Sequence, residues 1–193
     1  MVTDKEAAEA AYEKSLVSPV PMDPDIATER LKDVKRILDE CGIVFFLGSG
    51  TCLGAIRENR FIPWDDEMDA ASIIGLNGLT EDMIEPVLKV FEDNGYYTHV
   101  THSARFVSTS VVKDGIRADW TCHRIIGDSL YQYPGVRTPL RLFTDLKEIE
   151  FIGEKFLVPN PPEEYLQAKY GPEWRTPKGP GFEKDVVQKI PDA

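Results

Sequence analysis

Apolar positions along the chain change their spacing several times, and each change predicts a different element. Between Pro24 and Gly42, residues Leu31, Val34, Ile37, Leu38 and Cys41 recur at the three- and four-residue steps of a helix with one buried face. Asp23 is placed to cap that helix, with Pro24 at its first position, where no amide donor is missed. Ile43 to Leu47 is wholly apolar and reads as a buried strand. Gly48-Ser49-Gly50 makes a turn, and Thr51 to Glu58 a short helix. Glu67 to Ile73 opens with acids and apolar residues in alternation, as a strand with two unlike faces would. Thr80 is expected to cap a helix running through Asp93, with Ile84, Val87, Leu88 and Phe91 inward and Gly95 at its end.

The pattern then returns to strands. Tyr96 to His102 and Arg105 to Lys113 are followed by Asp114-Gly115, a strong two-residue hairpin signal leading into Ile116 to Thr121. A second hairpin is expected to turn at Gly153-Glu154. Pro161-Pro162 opens a last helix ending near Gly171, and a tail rich in Pro, Gly and Lys follows. At the other end, Lys5 to Leu16 reads as a helix, and Pro19, Pro21 and Pro24 break the chain after it. No internal repeat or low-complexity tract is present. The order is neither repeated βαβ units nor all-β. It predicts one α+β domain over 1–193 with a mostly antiparallel or mixed sheet. Residues 1–22 form the added helix and its Pro-rich connection, and 181–193 the tail.

Charge narrows the partners. The 193 residues carry a net charge of −11, which disfavours nucleic acid and anionic membrane surfaces, because both are bound through cationic contacts to phosphates. The longest apolar runs fall far short of the ~20 residues that span a bilayer. The N-terminus is charged, unlike a signal peptide, so a cytoplasmic location is expected. Cys41, Cys52 and Cys122 are odd in number and widely spaced, resembling neither a disulfide framework nor a zinc site; reduced, partly buried thiols are expected.

The chemistry concentrates in one segment, where Asp65, Asp66, Glu67 and Asp69 follow Trp64. On an extended strand Asp65, Glu67 and Asp69 share a face, while Asp66 and Met68 point away. Three carboxylates on one face repel unless a cation sits among them, and the segment itself supplies no basic residue. Oxygen ligands with no nearby His or Cys suit Mg²⁺ or Mn²⁺. A solvated acidic loop is the alternative. Pro63-Trp64 before the run and Ala70 to Ile74 after it favour a strand entering a core. Asp119 is the second informative acid. In Ile116 to Thr121, alternation puts Arg117, Asp119 and Thr121 on one face and Ile116, Ala118 and Trp120 on the other. Asp119 is a further metal ligand if this strand lies beside Glu67 to Ile73. Otherwise it is an acid paired with Arg117 or Arg105.

The segment Gly48, Ser49, Gly50, Thr51 sits between a buried strand and a helix, where glycine amides and a helix N-terminus favour an anion. The spacing matches neither a dinucleotide fingerprint nor a P-loop, so a tight turn explains it equally. Arg57 and Arg60 lie between this turn and the acids, as phosphate contacts or as solvated surface. His99, His102 and His123 have no nucleophile partner; His102 is the one considered as a base.

Strand, glycine turn, helix, acidic strand and a third acid on a later strand together resemble the nucleotidyltransferase fold superfamily. The stretch from Phe46 to Arg57, running on to Phe61-Ile62-Pro63-Trp64-Asp65-Asp66-Glu67-Met68-Asp69, is similar to the LicD family of phosphotransferases, which includes the fukutin-like proteins. The distal Pro161-Pro162-Glu163-Glu164-Tyr165-Leu166 to Tyr170-Gly171-Pro172-Glu173-Trp174 also resembles that family's C-terminal segment. The chain departs from the family pattern at Glu67, usually Asp, at Cys52, usually Leu, at Asn59-Arg60, usually Lys-Gly, and in the Trp120-Thr121 that follows Asp119.

The resemblance covers about residues 26–180, the core it implies, and it implies a mixed sheet flanked by helices, with added N- and C-terminal helices. It also implies transfer of a phospho-alcohol from a CDP-linked donor to a glycan or small hydroxyl acceptor. By that implication Asp65, Glu67, Asp69 and Asp119 hold Mg²⁺ or Mn²⁺, with Asp119 as ligand or base. Gly48, Ser49, Gly50 and Thr51 cradle the donor phosphates, and Arg57 steadies them. A nucleotidyltransferase acting on a small molecule or protein, and a member of the fold that has lost catalysis, are the alternatives.

Overall fold

The computed structural model describes residues 4–133 and 135–179. The tail expected over 181–193 lies outside the described residues. The elements in order are helices α1 (Asp4–Val17) and α2 (Pro24–Glu40), strand β1 (Phe46–Leu47), helix α3 (Ser49–Glu58), strand β2 (Glu67–Ile74) and helix α4 (Ile84–Asp93). Strands β3 (Tyr97–His102), β4 (Phe106–Lys113) and β5 (Ile116–Arg124) follow. Then come two hairpins, β6 (Ser129–Gln132) with β7 (Val136–Pro139) and β8 (Lys147–Phe151) with β9 (Glu154–Val158), and last α5 (Pro162–Tyr170). This is an α+β fold around a five-stranded mixed sheet of order β1-β2-β5-β4-β3. Only β2 and β5 pair in parallel; the other neighbours are antiparallel. A parallel pair needs a crossover, and here α4, β3 and β4 lie between the two strands in sequence.

Local chemistry explains most of the elements. Asp23 accepts hydrogen bonds from the amides of Asp25 and Ile26, capping α2 with Pro24 in its first turn. Ala27, Leu31, Val34, Ile37 and Leu38 form its buried face. Asp114 and Gly115 both take positive φ, 53° and 75°, as a two-residue hairpin requires. Several boundaries differ from the pattern-based expectation, among them α3, which already begins at Ser49, and β5, which runs on to Arg124. The apolar run from Ile43 yields a strand of only two residues, because the Ile43 amide still bonds back to Leu38 at the end of α2. Thr80 makes no side-chain cap; a 3-10 turn over Glu81–Met83 precedes α4 and takes up the first amides. The second hairpin turns at Ile152-Gly153, both with positive φ, and Glu154 already belongs to β9. Flanking strands are paired through Phe151 and Glu154, and that register leaves Ile152 in the turn despite its branched side chain.

The core lies between the sheet and the helices that cover it, with Trp120, Phe46, Phe91, Phe143, Phe151 and Tyr165 among its largest fully buried side chains. The indole of Trp120 donates to Ser72 Oγ at 2.9 Å, and Ser72 donates to the Val44 carbonyl at 2.9 Å, so the one buried polar edge of that ring is satisfied. Cys52 and Cys122 are buried free thiols and Cys41 is half-buried. No helix among the described residues is long and apolar enough to cross a membrane.

Helix α3 connects this core to the acidic segment. A Cβ built on Gly54 would fall 2.4 Å from the Arg60 carbonyl oxygen, so only glycine lets the helix lie against the chain that leads to Trp64. Gly54→Ala should therefore force backbone apart at a cost of about 1–3 kcal/mol. That corresponds to a fall in melting temperature of roughly 2–12 °C at ~2–4 °C per kcal/mol. A thermal melt of the variant within a degree of the parent would refute the close-packing argument.

Candidate functional site

The register of the sheet assembles the site. His99 pairs with Ser110, Ser110 with Asp119, and Asp119 with Asp69, so one cross-strand row runs over β3, β4, β5 and β2. Directly paired residues project from the same face of a sheet. The row continues to the turn after β1, where the Gly48 amide donates to the Asp69 carbonyl at 3.0 Å. The opposite face carries Met68, Ala118 and Trp120, all buried. Asp119 thus stands beside Asp69, and Ser110 donates to its Oδ1 at 2.7 Å.

The glycine turn is tied to Asp69 from several directions. The Gly50 amide donates to Asp69 Oδ2 at 3.0 Å, and the Asp69 amide donates to Thr51 Oγ1 at 2.8 Å. Ser49 takes φ 36°, in the left-handed region, and its amide donates to the Tyr165 hydroxyl at 3.0 Å. Asp65 closes over the same turn: a Cβ on Gly50 would lie 2.6 Å from Asp65 Oδ2. The amides of Ser49 and Gly50, read from sequence as a phosphate cradle, are therefore engaged by Tyr165 and Asp69. The Thr51 hydroxyl serves as an acceptor that locks β2 to α3.

Three groups absent from the sequence reading complete the site. Lys169 of α5 is buried, and its Nζ donates to Ser49 Oγ at 2.6 Å and to Gln132 Oε1 at 3.2 Å. Tyr165 donates to the same Gln132 oxygen at 3.1 Å. The one signal for Tyr165 and Lys169 was the distal segment Tyr165 to Trp174, which resembled the family pattern without indicating that it folds beneath the glycine turn; Gln132 carried no signal. Burial pushes the Asp69 carboxyl up to about 6; nearby Lys169 opposes that shift and Asp119 adds to it. Burial likewise raises Asp119, against the pull of Arg117 and the Ser110 hydrogen bond. It lowers the Lys169 ammonium, which Asp69 partly restores.

The carboxylates divide into two groups. The expectation that no cation stands among them is corrected by Arg117, from the facing position on β5. Its guanidinium forms an ion pair with Glu67, lies 3.8 Å from Asp66 and places Nε 3.6 Å from Asp119 Oδ1. Asp66 was expected to point away from Glu67. It turns toward Arg117 because the strand begins only at Glu67, so alternation does not govern the residues before it. Asp69 and Asp65 stand next to the glycine turn, and Asp119 lies between the two groups, beside Asp69 on one side and Arg117 on the other. Arg57 was read as a phosphate contact. Its side chain is buried, bonded to Glu58 Oε1 at 3.0 Å and to the Trp174 carbonyl at 3.4 Å. It lines a pocket of about 400 Å³ with Arg60, Trp64 and Arg175, apart from the row. Among the histidines, His99 belongs to the row and stacks on Tyr12, ring centres 4.9 Å apart. His123 is buried, and burial lowers it to about 3. His102, considered as a base, instead faces Glu81 at 3.7 Å, three residues further along β3.

The donor set can be tested for a divalent cation on its own chemistry. Two neighbouring carboxylates whose charge is disfavoured by burial, with oxygen as their only donor type, suit a hard ion such as Mg²⁺. Glu67 is held by Arg117, and among the described residues no three Asp, Glu, His or Cys side chains are placed to hold one ion together as they stand. Asp69 and Asp119 fit the ion. The four-carboxylate set read from sequence is not assembled in this arrangement.

Comparison with known proteins places this geometry. The chain is similar to the ribitol-5-phosphate transferase FKTN of Homo sapiens, at 28% identity over 162 residues, covering 78% of this chain and 33% of that protein. The FKTN of Mus musculus shows 27% identity over 163 residues, with 78% of this chain and 33% of that protein covered. An uncharacterized protein of Rickettsia prowazekii (strain Madrid E) is 36% identical over 66 residues, 34% of this chain and 23% of its own length. The chain thus spans about a third of the length of the FKTN relatives it matches. A family model described as LicD/FKTN/FKRP, nucleotidyltransferase domain, matches residues 42–161, which include the glycine turn, β2 and β5. With more than half of its residues inside that match, among them Asp69 and Asp119, the chain belongs to the LicD/FKTN/FKRP nucleotidyltransferase-domain family.

Proposed function

We propose that the chain transfers a phospho-alcohol group, of the polyol-phosphate or phosphocholine type, from a CDP-linked donor to a hydroxyl of a glycan or small acceptor, with Mg²⁺ or Mn²⁺. The observation that carries this reading is the half-buried Asp69–Asp119 pair, neighbours across β2 and β5, with Asp69 held by the Gly50 amide. The similarity to the ribitol-5-phosphate transferase FKTN supports the polyol-phosphate class.

Asp69 and Asp119 would hold the ion, with Asp65 and Glu67 the other carboxylates of the proposed set. Bound there, it would neutralise charge on the donor diphosphate. The protein's own groups do the rest. Asp119 is oriented by Ser110, and burial raises its proton affinity, which suits it to take the proton of the acceptor hydroxyl. The acceptor oxygen forms its bond to the alcohol-bearing phosphorus as the phosphoanhydride bond breaks and CMP leaves. The Ser49-Gly50 turn fixes Asp69 so that alignment is set before substrate arrives. The Glu67–Arg117 ion pair favours a second reading, a family member that keeps the fold without turnover.

Metal binding separates the two readings. Mg²⁺ or Mn²⁺ should raise the melting temperature, since a ligand that binds only the folded state stabilises it, by about 2.7 kcal/mol at a hundredfold excess over Kd. Calorimetry showing no heat at millimolar metal, with and without CDP, would remove the transferase reading and leave the second.

Asp119→Asn should abolish turnover of a CDP-alcohol, followed as CMP release, while the melting temperature without metal stays level or rises. Asparagine can still accept from Ser110, and one buried charge is removed. Retained activity would exclude Asp119 from the chemistry.

Donor preference is the third test. The diphosphate is common to all nucleoside diphosphates, so preference for CDP must come from groups that pair with the cytosine edge. A wrong base leaves those groups unpaired at ~1–3 kcal/mol, or roughly 5- to 150-fold in affinity. Competition among CDP, ADP and GDP in Mg²⁺ should favour CDP by that margin. Equal affinities, or a purine preference, would point to a nucleotidyltransferase instead.

A further inference from the structure

Lys169 lies outside the segment matched by the family model, and the transfer chemistry above does not use it. It is nonetheless among the most costly residues in the protein. A lysine 6% exposed has surrendered nearly all its hydration, and such residues persist only where specific partners replace the water. The partners here are not arbitrary. Nζ meets Ser49 Oγ at 2.6 Å and Gln132 Oε1 at 3.2 Å, and Asp69 is the carboxylate that acts on it. Gln132 is in turn fixed by its Nε2 donating to Thr138 Oγ1 at 3.2 Å across the β6–β7 hairpin. Tyr165, one helical turn before Lys169, bridges Gln132 and the Ser49 amide. Helix α5 and the β6–β7 hairpin therefore grip Ser49 at both its amide and its hydroxyl. Ser49 has φ 36°, a conformation unfavourable for a residue with a side chain, and the next amide is the one that holds Asp69.

We propose that Lys169 is a positioning residue of the transfer site: through Ser49 Oγ it holds the turn at the angle that brings the Gly50 amide onto Asp69. The inference rests on the reading of Asp69 as a metal and substrate-site carboxylate. Lys169 touches neither donor nor acceptor in this role. Losing a group that orients a metal ligand typically costs about ten- to a hundredfold in metal affinity.

Charge and position predict opposite signs, which makes the role testable. A lysine acting only as a positive charge beside a cation site weakens metal binding, so Lys169→Met would tighten it. A lysine that positions Asp69 strengthens binding, and Lys169→Met should weaken Mn²⁺ affinity roughly ten- to a hundredfold in calorimetric titration. Ser49→Ala, which leaves the ammonium in place, should lose affinity in the same direction. The double variant should lose little more than either single one, because both break one linkage. A second readout does not depend on metal. Amide hydrogen exchange in the metal-free protein should show the Gly50 amide deprotected about tenfold or more in Lys169→Met, while amides of β4 and β5 keep their protection and confirm the fold. Should Lys169→Met fail to fold, Ser49→Ala carries both measurements. Unchanged Gly50 protection overturns the inference, as does unchanged or tighter Mn²⁺ binding. If the parent protein binds no Mn²⁺, the transferase reading falls, and the exchange measurement alone decides whether Lys169 holds the turn.

Discussion

The structure around the site depends on holding the half-buried Asp69 carboxylate where packing strips away much of its water. An isolated carboxylate in a protein interior is costly, and this one has a second acid, Asp119, paired beside it. It stays there because the Gly50 amide donates to it and the Lys169 ammonium lies close by. Even so its proton affinity is raised, so the metal-free protein holds the site in an unfavourable electrostatic state. A stabilising core elsewhere offsets that cost, and the same tension is what a divalent ion would relieve. Strained or destabilised groups of this kind concentrate where function requires them.

Much of what surrounds Asp69 serves to fix its position. Glycine at position 50 leaves room for Asp65, and Thr51 binds the Asp69 amide. Behind the turn, Tyr165, Lys169 and Gln132 form a network in which the Gln132 side-chain oxygen accepts twice and its nitrogen donates to Thr138. Buried networks with their members satisfied rigidify what they contact. The hairpin and last helix thus hold the turn whose Gly50 amide meets Asp69.

Arg117 has a different influence. It gathers Asp66, Glu67 and Asp119 around one guanidinium, and its NH1 also reaches Ser15 of α1 at 3.5 Å. A cation in that place balances charge the acidic segment would otherwise carry alone, and under the proposed function it would compete with a metal for Glu67. Glutamate where the family usually has aspartate gives the side chain the extra reach to meet that arginine. The family membership and the ion pair therefore bear on one question, how much of the acidic strand takes part in metal binding.

Elements whose signals are local were legible in the sequence. The α2 face, the Asp114-Gly115 hairpin, the glycine turn before α3 and the acidic start of β2 each follow from short-range periodicity or from a residue's own conformational preference. Even the faces of β5 could be assigned, since alternation needs only the strand itself. Cap and turn details failed where register or a neighbouring element overrode the local preference, as at Thr80 and Ile152. What lay beyond the sequence were contacts between residues far apart in the chain. The parallel pairing that puts Asp119 beside Asp69 depends on which strands become neighbours, and no periodicity encodes that. Lys169 reaches Ser49 across 120 positions, and Arg117 turns to Glu67 rather than to solvent, because packing brings those groups within hydrogen-bonding distance. The residue types able to do the chemistry are written in the chain; which of them meet is decided only when the sheet, the last helix and the hairpin close on one another.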